Sequence, residues 1–376
     1  MDLKKIEWET AVTVVGAAAG MLTVVGGIFV WSGVYNIAAS TDHLSVTTWL
    51  LQKLREQSIA TQSSGIKAPR LDDDGMIRLG ASHYEAGCVP CHNRPGQEIN
   101  PIVSGMLPSP PGLVDAVERR KPEAVFWIVK HGLKYTGMPA WPSAVRDDEV
   151  WALTAFLSQL PEQHEKYLDL AGIDRLPAPV DSRGLASLGA FTQCARCHES
   201  EGVGTNGDRV PRLAGLPFVY LLRSLGEYRE RIRTSGVMEP VADLLSDDEM
   251  QELAAYYSRL APAADKARHA PGRRQIERGR AIAVRGDAEN DIPACLTCHS
   301  GAQSPQFAPL PGQHADYIAE QLRVWQRGGR ARTPYGRIMA PIAQRLSEQQ
   351  ITDVSAYLAS LPPVRTGSGP VAEARP

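Results

Sequence analysis

All six cysteines of the chain fall in three strings of one form: Cys88-Val-Pro-Cys91-His92, Cys194-Ala-Arg-Cys197-His198 and Cys295-Leu-Thr-Cys298-His299. Their first cysteines stand 106 and then 101 residues apart, so each string is the centre of a whole domain rather than one turn of a short-repeat solenoid. A length of 376 residues accommodates three such units and an N-terminal extension. Apolar residues at 43 % supply their cores, and a net charge of −2 argues against a general nucleic-acid binder.

Three chemistries use paired cysteines. Zinc takes four ligands, and three isolated Cys-Cys-His sets leave an unexplained remainder. A dithiol redox site expects a neighbouring βαβ pattern, which the chain lacks. Cys-x-x-Cys-His is the attachment signature of c-type haem: thiols one helical turn apart bond to the two vinyl groups of one porphyrin, and the next residue offers imidazole to the iron. With 9 histidines in 376 residues, histidine would follow all three pairs by chance at a frequency of about 10⁻⁵. The sequence therefore predicts three covalently bound haem c groups, held by Cys88 and Cys91, Cys194 and Cys197, and Cys295 and Cys298, with His92, His198 and His299 on the irons.

Register supplies the second iron ligand. Met238 and Met339 each lie 40 residues after a haem histidine, and Met138 lies 46 after His92. Nine residues after each methionine comes an acid, Asp147, Asp247 or Glu348, and eighteen after it an aromatic, Phe156, Tyr256 or Tyr357. These closing segments have helical apolar spacing and stop before Pro161, Pro262 and Pro362, while the acids complement the positive end of the helix dipole. An isolated methionine is usually a core filler, but the shared register assigns Met138, Met238 and Met339 to iron. Met76, Met106 and Met250 fall outside it. His131 is the alternative ligand in the first unit, and His314 reads as a polar surface or haem-edge residue. Each unit is a haem string, a loop-rich middle, a methionine loop and a closing helix. No strand-period run competes, so the expected class is all-α.

Ahead of these units no charged residue occurs between Glu9 and Asp42, and Ala11 to Val34 is almost wholly apolar. That stretch would form a helix of about 36 Å, against a hydrocarbon core of about 30 Å. It exceeds the apolar region of a cleaved signal peptide. Lys4 and Lys5 before the span, and Asp42 after it, place the N-terminus in the cytoplasm and everything past residue 35 outside. The expected location is the inner membrane, single-pass, with periplasmic haem domains. Ser40 to Arg55, with Leu44, Trp49, Leu50, Leu51 and Leu54, reads as an amphipathic helix that lies on lipid or docks on a membrane subunit.

All three units resemble class I cytochrome c domains, over residues 72–365. Units two and three resemble the lobes of periplasmic dihaem cytochromes of the c-four group. There Pro211-Arg-Leu-Ala-Gly215 with Tyr220 is answered by Pro309-Leu-Pro-Gly312 with Tyr317, and Met238-Glu-Pro-Val-Ala by Met339-Ala-Pro-Ile-Ala. The first unit resembles membrane-anchored bacterial monohaem cytochromes c through Phe126-Trp-Ile-Val-Lys-His-Gly, Thr136-Gly-Met-Pro-Ala-Trp141 and the loop Pro108-Ser-Pro-Pro-Gly112. The resemblance implies an all-α chain: an anchor at 1–40, an amphipathic connector at 41–71, cytochrome c domains at 72–180, 181–264 and 265–365, and a flexible tail at 366–376. The boundaries fall near 174–181 and in an Ala/Pro/Arg-rich linker, Ala261 to Arg274.

An iron held by both His and Met has no open position for a substrate, and such ligation raises its potential, so the expected function is electron transfer rather than catalysis. The expected role is to carry electrons from a quinol-oxidising cytochrome bc complex or a soluble cytochrome to a haem-copper terminal oxidase. The alternative is the cytochrome subunit of a periplasmic dehydrogenase of flavin, quinone-cofactor or molybdenum type. A haem peroxidase would require one haem to lose its methionine. The three units carry net charges of −5, −3 and +5. Arg323, Arg327, Arg330, Arg332 and Arg337 are either a docking face for an acidic redox partner or arginines committed to haem propionates.

Overall fold

The computed structural model describes residues 3–160, 164–174, 188–204, 209–262 and 271–364. Among these residues the chain is all-helical, with one isolated bridge between Asp287 and Ile292 in place of any strand. Nearly all of the boundary expected near 174–181, most of the linker expected at 261–274, and the tail at 366–376 lie outside the described residues.

The first helix, Leu3–Ser32, contains a segment, Thr10–Ser32, with a mean hydropathy of 2.0 that is long and apolar enough to cross a membrane. It ends two residues before Val34 because Gly33 turns into the left-handed region at φ +64°. A second helix, Ser45–Ser63, starts later and runs further than the expected segment. Leu51, Arg55, Ile59 and Ser63, four residues apart, face inward, and the helix packs on the Pro122–His131 helix. Val46, Trp49, Leu50 and Leu54 are left on the outer side, with Trp49 59 % exposed.

Beyond these, three separate apolar clusters form, each joining a helix that leads toward a Cys-x-x-Cys-His string to a closing helix. In the first, Asp74–Gly87 crosses Asp147–Ser158, and the rings of Tyr84, Phe156 and Tyr167 meet at 5.4 to 5.9 Å. In the second, Leu188–His198 shares Phe191, Leu253 and Tyr257 with Asp247–Arg259. In the third, Arg273–Arg285 packs on Glu348–Ser360 around Ile282, Ile351 and Leu358.

The closing helices begin at Asp147, Asp247 and Glu348. Ser246 with Glu249 and Ser347 with Gln350 form reciprocal capping boxes that satisfy the first orphan N–H groups. The first closing helix has Arg146 at that position instead. Glycine sets the distance between crossing helices. A Cβ at Gly80 would lie 2.0 Å from the Ala152 carbonyl oxygen, and one at Gly279 2.0 Å from that of Asp353. Ala152 and Asp353 each lie fourteen residues after their unit's methionine.

Candidate haem sites

Each Cys-His string is a turn of helix. Cys88 caps Asp74–Gly87, and the His92 N–H donates to the Cys88 carbonyl over 2.8 Å. His198 ends the helix Leu188–His198, and His299 ends the turn Leu296–His299. The imidazoles are oriented from behind: Nδ1–H of His198 donates to the Pro211 carbonyl at 3.1 Å, and that of His299 to the Ala308 carbonyl at 2.7 Å. The His92 Nδ1 is buried with no hydrogen-bond partner, so this backing holds for the second and third units. A carbonyl only accepts, so Nδ1 carries the proton and Nε2 keeps the lone pair that binds a metal. Burial lowers all three imidazoles, His198 to about 4. It raises the thiols of Cys88 and Cys194 to about 12 and that of Cys295 to about 11. None of the six cysteines is in a disulfide.

In units two and three the two sets share one continuous cavity of about 360 Å³, lined by Cys194, Cys197, His198 and Met238 and by Cys295, Cys298, His299 and Met339. Its walls are largely apolar, with Leu221, Leu253, Ile318 and Leu322 among them, but buried Arg233 and Arg330 also line it. Arg233 donates to Ser224 Oγ at 2.8 Å and to the Tyr317 hydroxyl at 3.2 Å. Arg330 lies 4.1 Å over Trp325 and donates to Gln321 at 2.7 Å. The Nε of each has no hydrogen-bond partner, and neither forms an ion pair with a carboxylate among the described residues. Burial would raise the Tyr220 phenol, but the two guanidiniums bring it down to about 8. Buried cations require anions. A haem combines an apolar ring with two carboxylates, so the residues present fit that group.

In the first unit Cys88, Met138 and Trp141 pack on one core. The Met138 N–H donates to Thr136 Oγ1 at 3.1 Å, and Met106 closes over Gly137, where a Cβ would lie 2.0 Å from the Met106 methyl. Met76 and Met250 are core residues, 7 % and 2 % exposed. His131 is exposed at the end of its helix beside Trp127. Met238 and Met339 stand on short helices, Met238–Asp243 and Gly336–Arg345, rather than the expected loops.

Two readings of charged and polar residues change. The arginine run is mostly consumed inside the molecule: Arg323 pairs with Glu320 and Glu348, Arg327 reaches the Val145 carbonyl and Asp148, and Arg332 donates to the Arg231 carbonyl. Arg330 is buried and Arg323 half-buried; Arg327, Arg332 and Arg337 are exposed, and of these Arg327 and Arg332 are tied to other units. His314 is not at the surface. It is 5 % exposed, and its Nε2–H donates to the Val203 carbonyl of the second unit at 2.8 Å.

The units also meet at places the sequence left unmarked. Arg209 links Asp73 of the first unit at 3.2 Å with Asp316 of the third at 3.7 Å. At the start of the first closing helix, Arg146 binds Asp148 at 2.7 Å and Glu149 at 2.8 Å and donates to the Thr234 carbonyl of the second unit. Burial pushes the Glu149 carboxyl up while Arg146 draws it back. Asp148, for all its burial, is held low by Arg146. His83, buried and 5.8 Å from the Trp141 ring, is lowered to about 4 by burial and by Arg146. Neither His83 nor Glu149 carries a sequence signal: one is a lone histidine in a helix, the other one acid among three in a first turn.

Comparison with known proteins adds the lineage. The cytochrome c4 of Pseudomonas aeruginosa (strain PAO1) is 31 % identical over 172 residues, which are 45 % of this chain and 83 % of that one. The chain belongs to the cytochrome c family. This cytochrome c is also similar to the thiosulfate dehydrogenase electron acceptor of Stutzerimonas stutzeri (strain A1501), 33 % identical over 53 % of this chain and 96 % of that one. The family model described as cytochrome c oxidase, cbb3-type, subunit III matches residues 75–157. Among solved structures, the cytochrome c4 of Acidithiobacillus ferrooxidans is 34 % identical over 45 % of this chain and 99 % of that one, with a TM-score of 0.40. Membership implies covalent haem c with iron and electron transfer as the work of this cytochrome c.

Proposed function

We propose that the chain is a membrane-anchored periplasmic trihaem cytochrome c that carries electrons from a quinol-oxidising complex or soluble cytochrome to a haem-copper terminal oxidase. The observation that carries this reading is the three-fold recurrence of one set: a Cys-x-x-Cys-His turn and a methionine in register with a closing helix, with the imidazole backed by a carbonyl at Nδ1 in the second and third copies. The haem supplies one-electron chemistry at each set. The chain does the rest. Cys88 and Cys91, Cys194 and Cys197, and Cys295 and Cys298 would fasten the groups, and His92 with Met138, His198 with Met238 and His299 with Met339 would supply the iron ligands. Arg233 and Arg330 meet propionates in the shared cavity.

The domains are proposed at 72–180, 181–264 and 265–365. The Thr10–Ser32 helix anchors them, and the exposed side of the Ser45–Ser63 helix, with Val46, Trp49, Leu50 and Leu54, begins thirteen residues past the anchor's end, where it would rest at the membrane surface. The match of the first unit to the cbb3-type oxidase subunit III family supports the oxidase as acceptor. A second reading, the electron-acceptor subunit of a periplasmic dehydrogenase, is supported by the likeness to a thiosulfate dehydrogenase electron acceptor.

The test is a haem count, redox titration and carbon monoxide binding on the full chain and on Met138→Ala, Met238→Ala and Met339→Ala. Three haems are expected, and each variant should shift one potential and open one ferrous haem to carbon monoxide. A methionine whose loss changes neither is no ligand. Rapid mixing with isolated oxidase or with thiosulfate dehydrogenase decides the partner.

A further inference from the structure

The first unit touches the second immediately ahead of Met238, with a buried carboxylate at the centre of the contact. Glu149 is 3 % exposed. Its Oε1 accepts from Ser235 Oγ at 2.6 Å and from Arg146 at 2.8 Å, and its Oε2 accepts from the Gly236 N–H at 2.7 Å and from Trp141 Nε1–H at 3.0 Å. All four partners donate, the arrangement an ionised carboxylate satisfies. The contact continues to Met238: its N–H donates to Ser235 Oγ at 3.1 Å, and that of Val237 to the same oxygen at 3.3 Å. Ser235 thus passes its proton toward Glu149 and accepts from the methionine's own peptide. Trp141, three residues after Met138, lies flat against Gly236, where a Cβ would sit 2.2 Å from Nε1.

We propose that Glu149 is a positioning residue for the Met238 segment, a carboxylate supplied by the first unit that fixes residues 235–238 of the second and so holds the Met238 thioether at its site. This rests on the reading of Met238 as an iron ligand. Docking of the first unit and the properties of the second site are then one event. The negative charge also acts on that site directly, since an anion nearby favours the oxidised iron. The same contact sets the second unit against the Met138 loop, because the Trp141 ring packs on Gly236.

The experiment uses the full chain in detergent, with hydrogen exchange of the peptide spanning 233–239 and a spectroelectrochemical titration. Glu149→Ala and Ser235→Ala should each speed exchange at 235–238 by about tenfold or more, the consequence of leaving buried donors unsatisfied. Each should also weaken the sulfur-to-iron charge-transfer absorption of one site. Glu149→Ala should shift one midpoint potential and leave the other two in place. The double variant should be less than additive, since Ser235 and Glu149 share the Oγ–Oε1 hydrogen bond. Glu85→Gln, which breaks the Arg94 and Tyr167 contacts of the first unit away from the junction, should leave exchange at 235–238 and the charge-transfer absorption and potential of the second site unchanged. Unaltered exchange in both Glu149→Ala and Ser235→Ala overturns the proposal, as does an equal response to Glu85→Gln. If Met238→Ala leaves the spectrum intact, the ligand reading fails instead, while the exchange data still decide whether Glu149 clamps the segment.

Discussion

His83 shows how much a single side chain depends on its surroundings. In an unfolded chain it titrates near its ordinary value, and in the fold burial lowers it to about 4. Between those values the unfolded chain binds the extra proton, so the contribution of His83 to stability is whole above pH about 6.5, falls as the pH drops toward 4, and is constant below that. A shift of that size corresponds to about 3 kcal/mol. Denaturant midpoints of the native protein should fall over that window, and His83→Gln should flatten the fall; an unchanged slope would mean that other groups govern it. The fixed tautomers of His198 and His299 follow the same logic, because the carbonyls of Pro211 and Ala308 leave each ring one face for metal.

At the scale of helices, the opening and closing elements of units one and three cross at glycines. Gly80→Ala and Gly279→Ala should each cost about 1–3 kcal/mol in chemical unfolding, because the obstructing atoms are backbone and cannot step aside. Gly226, in the helix Phe218–Arg229, has open space where its Cβ would be. Gly226→Ala should therefore stabilise by about 0.5–1 kcal/mol. Equal effects at the three positions would refute the crossing argument. The starts of the closing helices were legible from acids at constant distance from methionine. Their caps follow from Ser246 and Ser347, residues with the short hydroxyl that the reciprocal box needs. The inward side of the Ser45–Ser63 helix was not legible: Leu51, Arg55, Ile59 and Ser63 are mixed in polarity, and the more apolar stripe faces outward.

For the molecule as a whole, deletion of residues 1–40 should release the protein from membranes with its haem content unchanged, read by fractionation and haem count. Residual vesicle binding should vanish when Trp49, Leu50 and Leu54 are made polar. Release without those changes would show that the outer stripe of the second helix does not meet lipid. The units are joined by buried and ionic contacts rather than by chain continuity alone: Arg209 between Asp73 and Asp316, Arg327 reaching back to Asp148, and Gln313 bonded to both the N–H and the carbonyl of Arg212.

The sequence by itself determined the helical class, the membership of each Cys-His set, the methionine register and the apolar N-terminal stretch. Each of these is local or strictly periodic, since covalent attachment needs fixed spacing and an amphipathic helix needs fixed period. The tertiary structure alone decided the rest: the merging of the second and third sites into one cavity, the burial of Arg330 and the pairing of Arg323 and Arg327 with acids, the burial of His314, and the placing of Glu149 against the Met238 segment. A charged side chain reads the same in sequence whether it meets water or another unit. Only the packing of three cores against one another removes the water and determines which charges face each other.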